Sequence, residues 1–166
     1  FIFMHHPKNT PSFSWICDQI ANAHARMGIS AVSIDPWNMI VQGFDNKSSS
    51  ETRWIGECLD DCSALAKGLS LHLQILAHPS KPMAGDNSRK PITYDRIAGS
   101  QHWANKPDHV WSIHRDKLQD DAGNRVTDAT IWVHKARYEE LGFPGKFNIK
   151  LDLANRCFHS TDYLSH

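Results

Sequence analysis

The sequence predicts an α/β fold: a mostly parallel sheet flanked by helices, with an antiparallel hairpin at the C-terminal end. Three observations predict it. Short apolar runs alternate with helical stripes through the first half of the chain. Two of those runs stop abruptly at residues able to do chemistry, Asp35 in AVSIDPWN and His78 in LQILAHPSK. In the second half, apolar runs of strand length follow one another across charged or glycine-bearing turns.

FIFMH, residues 1 to 5, is the first predicted strand. Thr10-Pro11 then pairs an N-cap residue with proline at the first helical position. Phe13, Ile16, Ile20, Ala23 and Met27 follow at helical spacing on one face, and Gly28 closes that helix. Ile29 to Ile34 is the second strand. Ser48-x-x-Glu51 has the capping-box pattern, and Trp54, Cys58, Cys62, Leu65 and Leu69 form the stripe of a second helix, interrupted by Gly68. Leu71 to Ala77 is the third strand. This order favours parallel strands joined by right-handed crossovers, and ligands of such sheets gather at the carboxyl ends of the strands. His5, Asp35 and His78 then share one edge. At this level Asp35 either starts a turn or holds a metal ion.

Residues 79 to 91, PSKPMAGDNSRKP, form a loop with three basic residues, Lys81, Arg89 and Lys90. A turn or short helix follows in ITYDRIAGSQHWANKPD. Val110 to His114 is the fourth strand, RDKLQDDAGNRVTD a charged hairpin-like loop, and Thr130 to Ala136 and Phe147 to Leu153 two further strands joined around GFPG. No internal repeat is present and no linker is long enough to split the domain, so residues 1 to 166 are expected to form part of one domain.

The 166 residues are 40% hydrophobic and 22% charged, a globular balance. The formal net charge is zero, which excludes a broad basic face wrapped by nucleic acid but leaves room for a few basic loops. No apolar run approaches the roughly 18 residues that cross a bilayer. There is no signal-peptide pattern, and a chain that starts at Phe1 inside an apolar run is expected to be a fragment. The four cysteines, Cys17, Cys58, Cys62 and Cys157, include no CxxC pair. Cys58 and Cys62 share a helix face and fit small buried side chains better than zinc ligands. No disulfide framework is implied, which favours a reducing compartment.

IDPWN, AHPSK with its following loop, GSQHWANKPD and KARYEELGFPG occur in this order over nearly all of residues 1 to 158. Together they resemble the RecA-like ATPase core of ring-shaped replicative DNA helicases, in the Twinkle-like and phage primase–helicase branch of the DnaB-like group. The resemblance implies ATP and Mg²⁺ as cofactors and coupling of hydrolysis to movement on single-stranded DNA. It implies Mg²⁺ bound at Asp35, through water, and His78 at the γ-phosphate or the attacking water. Lys81, Arg89 and Lys90 would meet the phosphates of single-stranded DNA. Arg137 would act as an arginine finger on a neighbouring subunit's nucleotide, with Lys135 beside it. A hexameric or heptameric ring, a fused primase domain and a location in the cytoplasm, in a phage-infected cell or in the mitochondrial matrix are further expectations; a membrane is not among them.

The sequence departs from that pattern in two places. It holds no Gly-x-x-x-x-Gly-Lys-Ser/Thr phosphate loop and no segment for the family's catalytic glutamate. Both are expected upstream of Phe1 in a parent protein, and the fragment alone is expected to be inactive. Two other classes compete: a RecA-like module that binds DNA or assembles without hydrolysis, and a metal-dependent hydrolase using His5, His6, Asp35 and His78.

Overall fold

The computed structural model describes residues 2–6, 11–40, 50–79, 93, 96–97, 101–115 and 117–161. The chain divides into two compact units, the first Phe1–Ser80 with Ile97–Pro107, the second Lys81–Arg96 with Asp108–His166. Both helices and strands are present, so the α/β class holds, with a parallel pair in the first unit and an antiparallel sheet in the second.

The first unit is built from α1 (Phe13–Met27), β1 (Ala31–Ile34), α2 (Glu51–Gly68), β2 (His72–Ile75) and α3 (His102–Asn105). Ser12 caps α1, its hydroxyl accepting from the Trp15 N–H at 3.2 Å. The cap is therefore two residues later than the predicted Thr10, which lies outside the described residues. Gly28 ends the helix at φ +63°, a left-handed conformation that glycine adopts without the steric penalty of a Cβ. His24 Nδ1 donates to the Ile29 carbonyl at 3.0 Å, tying the end of α1 to the chain that enters β1. Ser50 caps α2 through the Arg53 N–H, so the predicted Ser48–Glu51 box is not the cap. The reason is local: an N-cap hydroxyl bonds the N–H two or three residues on, and the helix starts directly after Ser50.

β1 and β2 pair in parallel from Ala31–His72 to Ile34–Ile75, and the His72 N–H donates to the Ser30 carbonyl just beyond. The predicted first strand did not form: residues 2–6 are in neither strand nor helix, and Phe3 is 94% exposed. An apolar run becomes a strand only when a neighbour completes its ladder, and residues 2–6 pair with no strand among the described residues.

The core of this unit gathers Ile34, Trp37, Ile40, Ile55, Cys58, Leu59 and Trp103, with Phe13, Ile16, Trp54, Leu73 and Ile75 packed against it. α2 buries Ile55, Gly56, Cys58, Leu59 and Cys62, a wider stripe than its sequence pattern suggested, because it packs on α1, α3 and β2 at once. Ile20 and Ile55 are each 1% exposed, and truncating either to Ala removes about 2–5 kcal/mol.

The second unit holds β3 (His109–His114), β4 (Asp128–Ala136), β5 (Gly145–Leu151) and β6 (Phe158–Ser160), antiparallel in sequence order. The predicted hairpin is its β4–β5 pair. The fourth predicted strand is β3 of this sheet. β6, three residues long and exposed, has too little apolar pattern to be seen in sequence. The loop between β3 and β4 turns on Asp120, whose carboxylate accepts from the Ala122 and Asn124 N–H groups and from the Asn124 side-chain amide.

Candidate functional site

Asp35 stands exposed between two buried anchors. Ile34 precedes it at 8% exposure and Trp37 follows at 6%. Trp37 is held by three rings: Phe13 at 6.0 Å, Trp54 at 5.5 Å and Trp103 at 5.2 Å between centroids. Each such pair contributes about 0.5–1.5 kcal/mol beyond the area it buries. The carboxylate thus sits on a short segment pinned at both ends, which limits the entropy lost when it takes up a ligand.

The chain after β2 runs beside it. The Leu76 N–H donates to the Ile34 carbonyl at 2.9 Å, and the Trp37 N–H donates back to the Leu76 carbonyl at 2.8 Å. The His78 N–H donates to Asn38 Oδ1 at 2.8 Å. Three bonds therefore carry the pairing past the strand ends and bring Asp35 and His78, both exposed, to neighbouring segments at the carboxyl edge of the parallel pair. Asn38 is the residue that sequence reasoning missed. It lies within IDPWN, but an exposed Asn gives no sign that its amide will fix a residue 40 positions later.

One carboxylate at a strand end suits Mg²⁺, which keeps several waters and is completed by substrate phosphates. Among the described residues, which include His5, His6, Asp35 and His78, no three His, Cys, Asp or Glu side chains are placed to hold a metal ion by themselves. That arrangement does not favour the metal-dependent hydrolase.

Lys135 and Arg137 belong to the second unit. Lys135 pairs with Val110 near the end of β4, and Arg137 lies one residue beyond the strand. The register slips between Val110 and Trp111, which leaves His134 as an extra residue on β4. Such a bulge changes the direction of the side chains next to it. The His134 ring is fixed by a 2.8 Å hydrogen bond between its Nε2 and Ser112 Oγ. The Arg137 N–H donates to the Asp108 carbonyl at 2.9 Å, and Arg137 Nη1 meets Asp108 Oδ1 at 2.9 Å. Burial lowers the Lys135 pKa from its ordinary value, and the Arg137 charge adds to that, while Asp108 acts the other way. Lys81, Arg89 and Lys90 lie outside the described residues. No helix among the described residues is long and apolar enough to cross a membrane.

No protein-family model matches the chain. It is 29% identical over 132 residues to the Twinkle homolog protein, chloroplastic/mitochondrial, of Arabidopsis thaliana, across 80% of this chain. Among solved structures it resembles an isolated ATPase domain, with a TM-score of 0.72 and 17% identity over 92% of this chain. A DnaB-like replicative helicase, solved for its interactions with primase, gives 0.68 and 17% over 87%. The chain spans 18% of the Arabidopsis relative, 52% of the ATPase-domain chain and 34% of the DnaB-like chain. Its fold is that of the RecA-like core of DnaB-like helicase ATPase domains.

Proposed function

We propose that this chain is part of a replicative DNA helicase of the primase–helicase type, one that couples ATP hydrolysis to movement on single-stranded DNA. The observation that carries the proposal is the exposed Asp35, fixed by Ile34 and Trp37 and set beside the His78 segment at the carboxyl edge of a parallel strand pair. Likeness to the Twinkle homolog over 80% of the chain supports the same assignment.

Asp35 is assigned to hold Mg²⁺ through water, and Mg²⁺ when bound neutralises charge on the β- and γ-phosphates. His78 is assigned to the γ-phosphate side. Its backbone is fixed by Asn38, so the imidazole stands at a set place. Arg137 is assigned to the nucleotide of an adjacent subunit, with Lys135 beside it. A guanidinium stays charged at every working pH and presents paired donors to phosphate oxygens. Lys81, Arg89 and Lys90 are assigned to the phosphates of single-stranded DNA. A phosphate-binding loop is lacking in these 166 residues, so hydrolysis is proposed for the parent protein.

The proposal includes a homo-oligomeric ring, hexamer or heptamer, and association with a primase, as in the DnaB-like helicase above. It places the protein in a compartment that holds replicating DNA; the name of the Arabidopsis relative points to an organelle. The test is ATP hydrolysis by the full-length parent with and without single-stranded DNA. Hydrolysis stimulated by DNA and abolished by Asp35→Ala is expected. Turnover that ignores both DNA and Asp35→Ala would defeat the proposal.

A further inference from the structure

We propose that Asp108 is a positioning residue for Arg137, setting the guanidinium in the direction from which it reaches a neighbouring subunit's nucleotide. The inference rests on the assignment of Arg137 given above and adds a residue to it. Three features carry it. First, Asp108 and Arg137 flank the same end of the β3–β4 ladder: His109 pairs with Ala136, and these two residues come next. Second, Asp108 grips Arg137 twice, its carbonyl accepting the Arg137 N–H at 2.9 Å and its carboxylate meeting Nη1 at 2.9 Å. Backbone and side chain of Arg137 are thus referred to one residue. Third, the His134 bulge redirects the end of β4 just before Lys135 and Arg137, so strand geometry alone does not set where the arginine points.

The ion pair is partly open to solvent, at 37% for the Arg137 side chain and 46% for Asp108. Pairs of that kind add little to stability. Orientation of a long, rotamer-rich side chain is the larger effect, and a displacement of about 1 Å in a group that stabilises a transition state lowers rate by up to about 10²-fold. A carboxylate on one edge of a planar guanidinium restricts its rotation and leaves the arginine charged.

The experiment uses the full-length parent protein and follows steady-state ATP hydrolysis. Asp108→Asn keeps the shape and the backbone carbonyl but removes the charge. It is expected to lower kcat by about 10-fold or more with little change in KM for ATP, since the finger acts in the transition state. Asp108→Glu, which restores the charge, is expected to recover part of the loss. In an Arg137→Ala background, Asp108→Asn is expected to add nothing, whereas a merely structural role would lower activity in both backgrounds. Circular dichroism melting checks that each variant folds. If Asp108→Asn turns over like the wild type, or faster, while Arg137→Ala is nearly dead, the positioning role is wrong and the helicase assignment stands. If Arg137→Ala itself loses nothing, the assignment of Arg137 fails first and takes this inference with it.

Discussion

The His78 N–H donates to the side-chain oxygen of Asn38 across 2.8 Å, joining the segment after β2 to the segment after β1. A backbone donor held by a side-chain acceptor fixes where a residue sits without using its own side chain. The imidazole of His78 is left for other work. The bond lies at the surface and contributes only about 1 kcal/mol to stability.

Asn38→Ala is therefore expected to leave the fold nearly as stable as before but to loosen His78. In the full-length parent, kcat for ATP hydrolysis should fall about 10-fold, with ATP affinity little changed. Rapid-quench and equilibrium-binding measurements separate the two. A loss confined to affinity would show that Asn38 serves binding rather than the placement of His78.

Much of this edge was legible in the sequence. Asp35 and His78 stand out because apolar runs ending in polar residues mark the carboxyl ends of buried strands, and hydropathy records burial directly. The helical stripes around Ile20 and Cys58 were visible for the same reason. What was not legible depends on long-range partners. FIFMH has the pattern of a strand, yet residues 2–6 lack a ladder neighbour among the described residues. The Asn38–His78 bond joins residues 40 apart, and the His134 bulge exists only in the register between β3 and β4. Neither leaves a mark on local composition. Asp108 reads as an ordinary residue after proline until the strand ends place it against Arg137.

Gly56 has a packing duty that its place in a helix would not suggest. A methyl group added there would lie 2.8 Å from the His102 ring, closer than carbon atoms approach without displacement. The Lys106 ammonium also donates to the Gly56 carbonyl at 3.0 Å and pairs with Asp60, so α3 lies tightly along this turn of α2. Gly→Ala within a helix normally stabilises by about 1 kcal/mol. Here the sign is expected to reverse, with a melting temperature lowered by Gly56→Ala. Adding His102→Ala should remove the clash, so that Gly56→Ala measured in that background becomes neutral or stabilising. A lower melting temperature for Gly56→Ala in both backgrounds would place the strain elsewhere.

The thiols of Cys58 and Cys62 are both pushed up to about 12, chiefly by burial and further by nearby acidic and thiol groups. At neutral pH they are protonated and poor nucleophiles, and alkylation by iodoacetamide should be slow until the protein unfolds. The linkage has a definite sign. A folded pKa raised above the ordinary thiol value of 9.0 gives stability that is whole below that value and is lost as pH rises towards about 12. Urea unfolding across that window should show a steeper fall in stability for the wild type than for Cys58→Ala/Cys62→Ala. Equal slopes would mean that both thiols ionise as easily in the folded protein as in the unfolded chain.

Arg137 offers the sharpest test of subunit cooperation. The residue is placed at the end of β4, where a bulge and Asp108 set its direction, and it carries a permanent charge suited to phosphate oxygens. In the full-length parent, Arg137→Ala is expected to leave folding and DNA binding nearly intact and to cut hydrolysis by about 10³-fold or more. Subunits with Arg137→Ala lack the finger but keep Asp35. Subunits with Asp35→Ala keep the finger but lack the Mg²⁺ ligand. Each is expected to be nearly inactive alone. In rings assembled from both, some interfaces join an intact Arg137 to an intact Asp35, and part of the activity should return. Native mass spectrometry establishes that mixed rings have formed. If they have and no activity returns, Arg137 does not act across the subunit boundary, and its pairing with Asp108 serves the strand end alone.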